Sequence, residues 1–89
     1  MPNKAFDVPV AVDGIQTGNP RIVADTLDAA EILLRRWPRE RREETYVAAV
    51  RACLDAMEGR ADGRRARHAF VGAAKSASIF VGTNIRRIF

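Results

Sequence analysis

Apolar residues recur along this chain with two different periods, and the change from one to the other marks out its elements. Phe6, Val8, Val10 and Val12 alternate with Asp7, Pro9 and Ala11, the period of two expected of a half-buried strand. Pro9 has no N–H to give to a ladder, so this strand lies at an edge or turns that position outward. Asp13-Gly14 and Gly18-Asn19-Pro20 are turn signals. They fit one long loop between two strands, or a meander in which Ile15 to Thr17 form a short middle strand. Arg21 to Asp25 is a strand in both cases, and the two-stranded hairpin is preferred.

From there the period becomes helical. Asp25 or Thr26 caps a first helix, with Asp28 in its positively polarised first turn and an apolar arc of Leu27, Ala30, Leu33, Leu34 and Trp37. Glu31 and Arg35 stand four apart, the order that favours an exposed ion pair. Trp37-Pro38 ends the helix, because the residue before a proline disfavours helical geometry. Arg39 to Arg42 is a charged connector, and Glu43-Glu44 opens the central helix, Tyr46 to Gly59, which Gly59 stops. At 100° per residue, Tyr46, Val47, Val50, Cys53, Leu54 and Met57 fall within an arc of about 120°, the width of a core-facing stripe. Ala48, Ala49, Ala52 and Ala56 flank it and would let a second helix approach closely. The third helix, capped by Asp62, supplies the match: Ala66, Ala69, Phe70, Ala73, Ala74 and Ala77 share one arc, nearly all of them small. Ser78 to Val81 then turns β-prone and predicts a short returning strand. Ile85, Ile88 and Phe89 give the last residues an apolar pattern at helical spacing, in a segment too short to hold itself.

The expected fold is therefore α+β: a small N-terminal antiparallel hairpin, with a third short strand near the C-terminus as an option, packed on three helices. Residues 1–81 form one domain and residues 82–89 a short tail. At 89 residues the core is modest, and burial at an interface would add to stability. With no apolar run near the ~20 residues of a membrane span and no secretory pattern at the start, a cytoplasmic protein is expected. One cysteine, on the apolar stripe, agrees with a reducing compartment.

Charge is uneven. Residues 1–34 carry a net −3 and residues 35–89 a net +7, and thirteen of the fifteen bases are Arg. Arg35, Arg36, Arg39, Arg41 and Arg42 crowd one corner; Arg60, Arg64, Arg65 and Arg67 crowd the start of the third helix. Guanidinium groups fork onto phosphate oxygens, so these nine are the candidate polyanion-binding residues. Glu40, Glu43, Glu44, Glu58 and Asp62 lie among them and would neutralise much of the field. Helix-turn-helix and RNA-binding signatures are missing from the sequence.

Two residues invite catalytic readings and support neither. Cys53 sits between Val50 and Leu54 on the apolar arc, where a thiol is packed rather than reactive. His68 projects away from Phe70 with no Asp, Glu or Cys four residues from it, so a solvated surface histidine is expected. Trp37 reads as a core plug at a helix end, with an aromatic platform shared with Tyr46 as the alternative.

Four segments carry a resemblance to a known family: Pro9-Val10-x-Val12, Trp37-Pro38, the run Ala52 to Gly59, and Ala66-Arg67-x-Ala69-Phe70-x-x-Ala73-Ala74 leading into Ile79-x-Val81. In order and spacing the chain resembles the short bacterial proteins grouped as domain of unknown function family 982, common in rhizobia and related soil bacteria. The match spans roughly residues 6–81 and departs at Arg42-Glu43-Glu44, where members often carry a glycine. The resemblance implies a compact α+β fold and brings no established activity.

With no catalytic constellation, cofactor motif or metal-ligand spacing in the sequence, the expected role is that of a small non-enzymatic interaction module. It self-associates or binds a protein partner, with Ile85, Ile88 and Phe89 as candidate interface residues. Binding of nucleic acid or another polyanion through the arginine clusters is the alternative. An enzyme or small-ligand binder with a pocket between hairpin and helices is third.

Overall fold

A computed structural model describes residues 3–13 and 20–82. The elements in order are β1 (Ala5–Val12), β2 (Arg21–Asp25), α1 (Thr26–Glu31) running on into a π-helical turn (Ile32–Arg36), a 3-10 turn (Arg39–Arg41), α2 (Glu44–Met57), α3 (Gly63–Ser76) and β3 (Phe80–Gly82). The strands make one antiparallel sheet in the order β2-β1-β3, and the fold is the expected α+β. The returning strand is present and takes in Gly82, which the sequence pattern had placed at the head of the tail. Ile15 to Thr17, and the candidate interface residues Ile85, Ile88 and Phe89, lie outside the described residues.

Val10 and Val23 face each other across β1 and β2, and with Val12 they are fully buried. Val8 breaks the alternation and is exposed. The cause is Pro9: the β1–β2 register shifts between Ala5 and Val10, so the strand bulges where a donor is missing. Arg67, from α3, satisfies an acceptor at the bulge by donating from Nε to the Val8 carbonyl at 2.6 Å. β1 is thus the central strand, with Pro9 accommodated by the bulge rather than by an edge position.

Each helix end follows local chemistry. The Asp25 carboxylate accepts from the Asp28 N–H at 2.8 Å, and Asp62 does the same for Arg65 at 2.9 Å. Thr26, the one buried polar side chain among the described residues, accepts from Lys4 N–H and donates to the Asn3 amide oxygen, fastening the N-terminal segment to α1. α2 stops in a Schellman turn: Gly59 takes φ +82°, Gly59 N–H donates to the Ala56 carbonyl and Arg60 N–H to that of Asp55. α3 stops the same way with Ser78 at φ 60° in the place glycine usually fills, and the next residue, Ile79, is buried.

The core differs from expectation in how two helices are rotated. On α2 the buried residues are Ala49, Ala52, Cys53, Ala56 and Met57, while Val47 is 56% and Leu54 37% exposed. The helix is turned by about a quarter of a revolution from the predicted orientation. Its alanine flank faces inward, opposite an α3 whose Ala66, Ala73 and Ala74 are also fully buried, so two faces of small residues pack together. On α1, Leu27 and Leu34 are likewise exposed, and Ile32 takes the inner place beside Leu33 and Trp37. The π-helical turn accounts for Ile32 and Leu34, since its extra residue per turn shifts the positions after Glu31 off the α-helical arc; Leu27 precedes it. Glu31 then meets Arg21 of β2 at 4.0 Å instead of pairing with Arg35.

Candidate functional site

Two surfaces stand out once the core is assigned. The first is the outer face of α2, a shallow groove of about 560 Å³ bordered by Val47, Val50, Arg51, Leu54, Asp55 and Glu58. It takes in Val47 and Leu54 of the stripe that the sequence pattern assigns to the core, brought to the surface by the rotation of the helix, while Cys53 and Met57 of that stripe stay buried. Asp55 and Glu58 both pair with Arg60, which follows the helix stop. Arg51 has no carboxylate partner among the described residues.

The second surface is the corner between α1 and α2. Here Trp37 is 3% exposed, edge-on to Phe70 at 5.9 Å and tilted against Tyr46 at 6.0 Å. It is the expected plug and not a ligand platform. Its indole N–H donates to the Arg41 carbonyl at 3.2 Å, which fixes the connector over it. Arg42 lies over the Tyr46 ring, 5.1 Å from the centroid.

The nine candidate arginines do not form one surface. The two clusters sit at opposite ends of α2, about 20 Å apart at 1.5 Å per residue. Arg60, Arg64 and Arg67 are engaged with acids, Arg60 as above and the other two with Asp7 of β1 at 3.8 Å each; Arg65 is exposed. Arg64 and Arg67 tie α3 to the β1 bulge, and Arg60 closes back onto the end of α2. Arg35, Arg36, Arg39, Arg41 and Arg42 are all exposed, and none has a carboxylate within 4 Å among the described residues.

Cys53 is fully buried, and burial pushes its thiol up to about 12 from an ordinary 9.0. His68 is exposed, as expected. Among the described residues no group of three or more His, Cys, Asp or Glu is placed to hold a metal ion, and no helix is long and apolar enough to cross a membrane.

A family model described as "Protein of unknown function (DUF982)" matches residues 8–81. The chain belongs to the DUF982 family. A solved relative agrees: the NMR structure of an Agrobacterium tumefaciens protein, a structural-genomics target, is 30% identical and superposes with a TM-score of 0.73, covering 91% of this chain and 79% of that one. No curated protein matches the chain. These likenesses fix the fold of the DUF982 chain and assign it no activity. The free arginines at the corner were named from the sequence; the outer face of α2 was not, since only the rotation of the helix exposes it.

Proposed function

We propose that this DUF982 protein is a non-enzymatic interaction module that pairs with a second copy of itself through the outer face of α2. The observation behind this is the exposed Val47 and Leu54, with half-buried Val50 between them, next to a cation, Arg51, that has no carboxylate partner among the described residues. Arg51 and Asp55 stand four residues apart on one flank of the strip. An antiparallel copy related by a two-fold axis near Leu54 sets each Arg51 beside Asp55 of the other molecule and the two Leu54 side chains against each other. Opposed helix dipoles favour the same arrangement. One helix face is smaller than the roughly 1,200–2,000 Å² of a standard stable interface, so association in the micromolar range is expected.

Mass-coupled size exclusion of the full chain tests the proposal. Wild type is expected to approach the mass of a dimer at high micromolar concentration, and Leu54→Asp to remain a monomer. Arg51→Glu and Asp55→Arg each weaken pairing, whereas the double variant R51E/D55R restores it, because reversal of both charges keeps an isologous contact complementary. A wild type that stays monomeric throughout, or a double variant no better than its parents, contradicts it.

A further inference from the structure

The α1–α2 corner holds a cleft of about 670 Å³ whose walls include Arg35, Arg36, Arg39 and Arg42, with Leu34 and Trp37 as its apolar part. Glu40 is the one acidic residue lining it. From this we infer a binding site for a compact, multiply charged phosphate anion, of the di- or triphosphate class.

The loop that carries these arginines is held from beneath. Trp37, buried among Phe70 and Tyr46, donates to the Arg41 carbonyl, and Arg41 N–H donates to the Pro38 carbonyl at 3.0 Å. Arg42 rests on the Tyr46 ring. Arg35 and Arg36 leave the last residues of the π-helical turn, a rare conformation that often marks functional positions. Four arginines therefore line one held corner. Within the lining only Glu40 and the half charge of a helix C-terminus oppose them, so the cleft itself is net positive, while Glu43 and Glu44 follow Arg42 outside the lining. Forked guanidinium donors match the oxygens of a phosphate chain better than those of a single carboxylate.

The ligand is compact because the basic surface does not continue. The second arginine cluster is about 20 Å away by helix rise, and three of its four members are occupied by Asp7, Asp55 and Glu58. The corner's own aromatic, Trp37, is covered, so no base can stack on it. Leu34, 53% exposed at the rim, offers an apolar wall for an organic group attached to the phosphates.

The test is a titration of the full chain with pyrophosphate, tripolyphosphate and ATP, followed by Trp37 fluorescence and by NMR of the arginine Nε–H groups. A saturable one-to-one change that weakens with added salt is expected, with shifts confined to Arg35, Arg36, Arg39 and Arg42. The variant R36Q/R39Q, with both sites exposed, is expected to lose at least tenfold in affinity, and Arg65→Gln to lose none. Equal affinity for tripolyphosphate and ATP assigns the cleft to the phosphate chain alone; tighter ATP binding adds a nucleoside contact at Leu34. The inference is overturned by the absence of saturable change up to millimolar ligand, by full retention in R36Q/R39Q, or by equal loss in Arg65→Gln. Because L54D lies outside the cleft, it is expected to bind phosphate normally whatever becomes of self-association.

Discussion

Three residues carry local commitments that can be checked one at a time. Ser78 holds a left-handed conformation that disfavours side chains with a Cβ, yet its N–H and that of Ile79 still complete the α3 stop. Replacing it by glycine removes that strain, and S78G is expected to stabilise the protein by about 0.5–1 kcal/mol in urea unfolding. Gly63 is the opposite case: a Cβ there would come within 2.8 Å of the Ala5 carbonyl, a backbone atom that cannot swing aside. G63A is expected to cost about 1–3 kcal/mol, despite alanine's better helix propensity, because β1 must move. Cys53 makes a prediction in pH. Its folded pKa of about 12 lies above the ordinary 9.0, so above pH 9 the unfolded chain releases a proton that the folded one keeps. Its contribution to stability is thus complete below about pH 9 and is lost as pH rises towards 12. At pH 8 a disulfide reagent should modify Cys53 roughly a thousandfold more slowly than a free thiol, and a fast reaction would mean that the core opens readily.

At the scale of elements, what the sequence made legible depended on whether the signal was local or relational. Caps and stops were local, and Asp25, Asp62, Gly59 and Trp37-Pro38 all lie where their chemistry placed them. The returning strand was legible for the same reason, as a short β-prone run after a helix. Helix rotation is relational. Hydrophobic size alone points Val47 and Leu54 inward, but α2 must fit a neighbour whose own face is alanine, and the two small faces pack together instead. The π-helical turn after Glu31 has no composition of its own, so neither the exposure of Leu34 nor the swap of Glu31 from Arg35 to Arg21 was readable in advance. The bulge at Pro9 was half legible: the missing donor was visible, whereas the contact that Arg67, 59 residues away on a helix, makes to the Val8 carbonyl was not.

For the whole molecule, these displacements have one effect. The core is completed by alanine packing around Phe70, Trp37, Ile32 and Leu33, and Val47 and Leu54 of α2 are left on the outside, with Val50 half-buried between them. The arginines divide by the same logic, Arg60 and, on α3, Arg64 and Arg67 tied to acids for the fold and those at the α1–α2 corner without a carboxylate partner among the described residues. A small domain gains from covering such a strip, and in the proposed pairing a copy of the same face, with Arg51 and Asp55 in complementary positions, would cover it. The most direct measurement is an isotope-filtered NMR experiment on a mixture of labelled and unlabelled chains. Pairing through α2 predicts contacts between Leu54 methyl groups of one molecule and the Leu54 and Val50 methyls of the other. Intermolecular contacts that avoid Leu54, or none at millimolar concentration, would contradict it.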